Sequence, residues 1–201
     1  MQKFYKPLLF SISLIPFGSV IYNGFTNNLT ANPIEYITHF TGDWTIYFLL
    51  ITLSITPLRN LTRKISLIRY RRMIGLFAFF YGCLHFITYF AVDQFFDFSA
   101  ILEDIVERPY ITVGFTAFVL LIPLTITSTK KMAARLGNKW RTLHSSIYLI
   151  TGLGILHYYW LVKSDVRIPL LLATIYILLL SLRLKWAKIM MKLRFLNIRS
   201  A

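Results

Sequence analysis

Four histidines stand in this 201-residue chain: His39, His85, His144 and His157. The last three fall inside long apolar runs, where an ionisable side chain is costly and marks function by default. Imidazole nitrogen is an axial ligand of haem iron, and two such ligands on one iron make a centre suited to electron transfer. A haem clamped between two membrane helices needs one histidine from each, at one depth. His85 stands seven residues before Val92, the end of its run, or about 10 Å of helix. His157 stands five before Val162, or about 8 Å. The two runs point the same way along the chain's path, so the pair is matched in depth near one membrane face and is placed to share one iron.

Local spacing adds to that pair. Gly82 and Gly154 each precede their histidine by three residues, on the same helix face, which leaves room for a flat macrocycle or for close helix packing. Tyr81 and Tyr89 flank His85 at four-residue spacing as edge residues or as ordinary core. His144 has no such match. It precedes His157 by thirteen residues, about 20 Å of straight helix, and the equivalent position before His85 is Arg72. A second haem with an unusual partner, a quinone, a haem propionate, or a plain histidine at the wet end of a helix all remain open for it.

The elements that position these residues are membrane helices. Hydrophobic residues make up 56% of the chain and charged residues only 15%, too apolar for a soluble core of this size. Six apolar spans are predicted, at about 7–24, 44–58, 73–92, 110–127, 143–162 and 168–186, each near the length that crosses a bilayer. The first follows Lys3 and Lys6 but lacks a small-x-small cleavage site, so it is expected to remain as a helix. The charges sort by alternate connections. Nineteen of the 22 basic residues fall at the amino terminus, in 59–72, in 128–142 and in the tail from Arg183, and all eight acids fall in the other connections. The positive-inside rule then predicts an all-α six-transmembrane helical bundle, one domain over 1–201, with both termini cytoplasmic.

The outer connections carry two short helix signals. Asn32, Pro33 and Glu35 form a capping pattern over 32–40, and Ser99 is a candidate cap for an amphipathic turn over 99–107, lying in the headgroup plane or packed as a loop. No internal repeat is evident. Cys83 is the single cysteine, so no disulfide or CxxC pair exists. Neither GxGxxG nor GxxxxGK[ST] occurs, which argues against a nucleotide domain. The net charge of +14 lies in blocks between apolar runs, so no nucleic-acid partner is expected.

Several stretches carry a resemblance: HFTG at 39–42, ITPLRN at 55–60, IRYRRMIGL at 68–76, RPYITVGF at 108–115, TSTKKM at 127–132, LGNKWRTLHSSIYL at 136–149 and HYYWLVKSD at 157–165. In this order they resemble the MsrQ (YedZ) family, haem-bearing membrane subunits within the wider ferric-reductase-like transmembrane group. The resemblance implies six spans in the bacterial inner membrane and b-type haem ligated at His85, His144 and His157. FMN is implied as a further cofactor by the resemblance alone. The implied role is that of a non-catalytic subunit. It takes electrons from the quinone pool to a periplasmic molybdopterin-containing reductase subunit, its partner in a heterodimer, which reduces methionine sulfoxide in oxidised proteins. A haem subunit of a ferric or cupric reductase, or of another dehydrogenase, is the alternative; a transporter or assembly factor with structural histidines is the reading from another class. The outer connections, eight acids against Arg108, Lys163 and Arg167, predict a basic patch on any soluble partner.

Overall fold

The computed structural model describes the backbone of residues 2–162 and 164–199 and the side chains of 5–162 and 164–184. Lys3, Lys163 and the basic side chains from Lys185 onward, counted above for orientation and docking, lie outside the described side chains. The described chain is helical and without strands: α1 (Gln2–Phe25), α2 (Pro33–Thr62), α3 (Ile68–Ile87), α4 (Phe98–Glu107), α5 (Pro109–Ile126), α6 (Lys130–Leu136), α7 (Asn138–Ser145), α8 (Ile147–Leu161) and α9 (Arg167–Arg199). A 3₁₀ turn (Ile65–Leu67) leads into α3, and a π-helical segment (Thr88–Asp93) prolongs it.

Four helices are long and apolar enough to cross a membrane, at Tyr5–Phe25, Ile65–Asp93, Pro109–Ile126 and Arg167–Leu184. The other two expected spans differ from expectation. The 32–40 helix and the 44–58 span are one helix, α2, because Asn32 caps it through Glu35 N at 3.3 Å and nothing breaks it before Thr62. The expected 143–162 span is interrupted at Ser146, which separates α7 from the 15-residue α8. In the 99–107 turn, Asp97 rather than Ser99 is the cap, accepting from Ser99 N and Ala100 N.

The core lies where α2, α3, α5 and α8 meet. Phe48, Leu49, Phe77, Ala78, Tyr81, Leu121 and Ile150 are buried there in one cluster. The Tyr81 ring is fully buried between Trp44, Phe48 and Phe80. Its hydroxyl reaches α1, accepting from Phe17 N at 3.1 Å and donating to Ser13 O at 2.8 Å. It is inserted into the i→i−4 ladder beside Pro16, and so ties α1 to the core. On the far side α9 is fastened by Arg183, whose Nη2 donates to Leu53 O and Thr56 Oγ1 of α2. Leu53 O is the carbonyl that Pro57, lacking an N–H, leaves without a helical partner.

Candidate haem site

His85 sits near the end of α3 and His157 near the end of α8, and their rings face one another with centroids 6.0 Å apart and planes at 79°. Each ring is held in the same way. His85 Nδ1 meets the carbonyl of Thr38 on α2 at 2.8 Å, and His157 Nδ1 meets that of Tyr110 on α5 at 2.6 Å. A carbonyl only accepts, so Nδ1 carries the proton in both, and Nε2 keeps its lone pair for a metal. This is the backbone-oriented imidazole that metal sites use to fix ring and tautomer.

One turn beyond each carbonyl stands a glycine that makes the approach possible. A Cβ on Gly42 would lie 3.1 Å from His85 Nδ1, and one on Gly114 would lie 2.6 Å from His157 Nδ1. The glycines singled out from spacing play a lesser part. A Cβ on Gly82 or Gly154 would meet nothing nearer than 3.6 Å, ordinary contact, although both line the same cavity. The room for each ring is cut in the neighbouring helix, not in its own.

These parts repeat. Thr38, Gly42, Gly82 and His85 are each followed 72 positions later by their counterparts Tyr110, Gly114, Gly154 and His157. The expectation of no internal repeat is corrected: α2–α3 and α5–α8 are two copies of one histidine-holding unit. The sequence signal was a doubled Gly-x-Leu-His, at 82–85 and 154–157, too short to stand out among divergent neighbours.

The two rings border a cavity of about 580 Å³. Its walls are apolar: Ile46 and Leu49 from α2, Phe86 from α3, Phe118 and Leu121 from α5, Ile150 from α8, with Ile101 and Ile105 of α4 as a roof. His39, Asp43, Tyr89, Arg108 and Tyr158 add polar groups to the lining. His39, which the sequence places in the connection before the second span, is on α2 and lines the cavity. Arg108 is paired with the buried Asp104 at 3.0 Å, and Asp104 also accepts from Tyr89 Oη and Gln94 Nε2. The Tyr110 side chain and the Asp104 carboxylate hold the Arg108 guanidinium above its ordinary pKa, so it is a fixed cation there.

The residues fit a haem. An iron bound to two imidazole nitrogens at about 2 Å each, with each centroid about 1 Å behind its nitrogen, sets the centroids about 6 Å apart. The cavity has the size and apolar lining of a cofactor site, and Arg108 and His39 in the lining would offer partners to a haem's carboxylates.

His144 is not brought to this cavity. It lies on α7, its Nε2 sharing a hydrogen bond with Thr127 Oγ1 at 2.9 Å, its ring stacked on Trp140 with centroids 4.1 Å apart. Trp140 Nε1 in turn donates to Thr127 O at the end of α5. Ser146, between α7 and α8, keeps right-handed helical backbone (φ −61°, ψ −12°) and its carbonyl accepts from Ile150 N at 2.9 Å, so His144 lies on the stretch that leads into α8. No cluster of three or more histidine, cysteine or carboxylate side chains placed to hold a metal ion occurs among the described residues.

The profile of the ferric reductase like transmembrane component family matches residues 41–155. A protein of Herminiimonas arsenicoxydans, described as the haem-binding subunit MsrQ of protein-methionine-sulfoxide reductase, is 56% identical over 185 residues, covering 90% of this chain and 85% of its own length. Proteins with the same description from Bordetella pertussis and Polaromonas naphthalenivorans are 48% and 46% identical, covering 89% and 91% of this chain and 87% and 86% of their own lengths. No solved structure matches the chain.

Proposed function

Because the chain belongs to the MsrQ family of ferric-reductase-like transmembrane proteins, we propose that it is the haem b electron-transfer subunit of a protein-methionine-sulfoxide reductase, with His85 and His157 as the two residues that would hold the iron of one haem. The observation that carries this reading is the pair of backbone-oriented imidazoles with centroids 6.0 Å apart across an apolar cavity. Haem bound there supplies a reversible one-electron centre. The chain's own residues orient and enclose it. Thr38 and Tyr110 fix the tautomers, Gly42 and Gly114 admit the rings, α4 and the aliphatic walls would exclude water, and Arg108 and His39 would offer donors to the haem's carboxylates.

In the same reading six helices cross the bacterial inner membrane with both termini in the cytoplasm, and the haem cavity lies toward the periplasmic face. Electrons come from the quinone pool and leave to a soluble molybdenum-cofactor subunit that reduces methionine sulfoxide, so this chain performs no substrate chemistry itself. His144 would serve a second, inner haem, for which its Nε2 would have to leave Thr127 Oγ1.

Purified protein should show a reducible b-type haem spectrum. His85→Ala and His157→Ala are each expected to abolish the outer haem's contribution; unchanged spectra and haem content in both would remove the ligand assignment. Haem stoichiometry of His144→Ala tests the inner site. Loss of one haem of two supports it, and an unchanged count assigns His144 to its packing against Thr127 and Trp140.

A further inference from the structure

The outward side of α4 has no part in holding haem. This helix has two apolar edges. Ile101 and Ile105 turn inward and roof the cavity. Phe98, Leu102 and Val106, four residues apart and so on one stripe, turn outward, with Leu102 65% and Val106 82% exposed. Just before the helix, Phe95 and Phe96 both take left-handed backbone, at φ 47° and 63°, which costs about 1 kcal/mol or more for each bulky residue. Both rings are nonetheless exposed. The turn is held by Phe96 N donating to Phe90 O at 3.0 Å, with the Phe96 ring edge-on to Phe90 at 5.2 Å, and it leaves the Phe95 ring facing outward beside the stripe.

Exposed apolar residues on the long spans have lipid to meet, but the charges around α4 argue against lipid there. Asp93, Asp97, Glu103 and Glu107 are exposed around the stripe, and none forms an ion pair among the described residues. The neighbouring cation, Arg108, is held by Asp104. Helices that lie in a headgroup plane carry Lys and Arg on the polar side, whereas an acidic rim is repelled by anionic lipid. An apolar centre with a charged rim is the anatomy of a protein interface.

We propose that the outward face of α4, with the Phe95–Phe96 turn, is the docking surface for a soluble protein presenting an apolar notch bordered by Lys and Arg, namely the catalytic subunit of the reductase. The assignment rests on the reading under Proposed function. It places the docked protein one helix diameter, about 10 Å, from the haem cavity, since the inner edge of the same helix roofs that cavity.

The test uses the full haem-loaded chain in lipid nanodiscs and, as probe, the purified catalytic subunit from the same organism. Leu102→Glu/Val106→Glu and Glu103→Lys/Glu107→Lys are each expected to weaken binding about tenfold or more with the haem spectrum unchanged, and wild-type binding is expected to weaken as salt rises. Wild-type affinity in both double variants overturns the docking surface and leaves the haem reading standing. Failure of the wild-type chain to bind the probe overturns the partner and, with it, this surface. A bimane label on Leu102→Cys in a Cys83→Ser background, read in nanodiscs without the probe, should emit as a water-exposed group and shift when the probe is added. Emission from an apolar setting before addition gives the face to lipid and overturns the proposal, whatever the fate of the charged variants.

Discussion

A single methyl group separates a ring that fits from one that does not. Gly114→Ala would put a Cβ 2.6 Å from His157 Nδ1 and 2.9 Å from two ring carbons, with no free space on the carbonyl side because Nδ1 is already bonded to Tyr110 O. The ring must move and the hydrogen bond that sets its tautomer must lengthen. Gly42→Ala, at 3.1 Å from His85 Nδ1, asks for a few tenths of an ångström, and Gly154→Ala, at 3.9 Å from Ile46 Cγ1, asks for nothing. Haem per protein, from the reduced-minus-oxidised spectrum, should therefore fall to a small fraction of wild type for Gly114→Ala, fall partly for Gly42→Ala, and hold for Gly154→Ala. Equal haem content in all three would mean that these glycines do not shape the site. The matched depth of His85 and His157 was legible in the sequence because helical rise is fixed, so counting residues measures length. The glycines that matter were not legible, because Gly42 and Gly114 act across helix pairs. Local spacing pointed instead to Gly82 and Gly154, which share a helix with each histidine.

Helices in this bundle are joined by polar groups that reach into each other's defects. Pro57 deprives Leu53 O of its i→i−4 donor, and Arg183 of α9 supplies a replacement at 3.1 Å while also donating to Thr56 Oγ1 at 3.0 Å and to the Tyr148 hydroxyl. Arg183→Met should lower stability by about 2 kcal/mol, the scale of hydrogen bonds to a charged group. Adding Pro57→Ala should restore part of that loss, because an alanine N–H can take up Leu53 O. Thermal unfolding in detergent of the two single variants and the double gives the coupling directly; strict additivity would mean that Arg183 does not answer the proline. The sequence showed Pro57 and Arg183 separately, as a residue near the end of the second span and as the first charge of a tail. It could not show them as partners 126 residues apart. It also hid the join between the 32–40 capping pattern and the second span: Asn32, Pro33 and Glu35 announce a helix start, and only the unbroken run through Thr38, Gly42 and Thr45 makes that start belong to α2.

At the scale of the whole molecule the question is how many helices cross the bilayer. Composition picks out four, and charge sorting asks for six. The site geometry argues for the larger number. Thr38 near the start of α2 bonds His85 near the end of α3, so α2 begins beside the end of α3 and the two run antiparallel; if α3 crosses, α2 crosses with it. Tyr110 at the start of α5 bonds His157 near the end of α8 in the same way, so α8 returns beside α5 despite its 15 residues. The two are missed for different reasons: α2 is long enough but carries Glu35, His39, Asp43 and Arg59 along its length, whereas α8 is as apolar as its neighbours and only 15 residues long. Six crossings place 59–72 and 128–142, eleven basic residues without an acid, on one side, and the α3–α4 connection with its carboxylates on the other. Alkaline phosphatase fused after Asn28 or Asp97 should therefore be active, and fused after Lys64 or Gly137 inactive. Activity after Gly137, or its absence after Asp97, would break the alternation that puts both histidines near the same face.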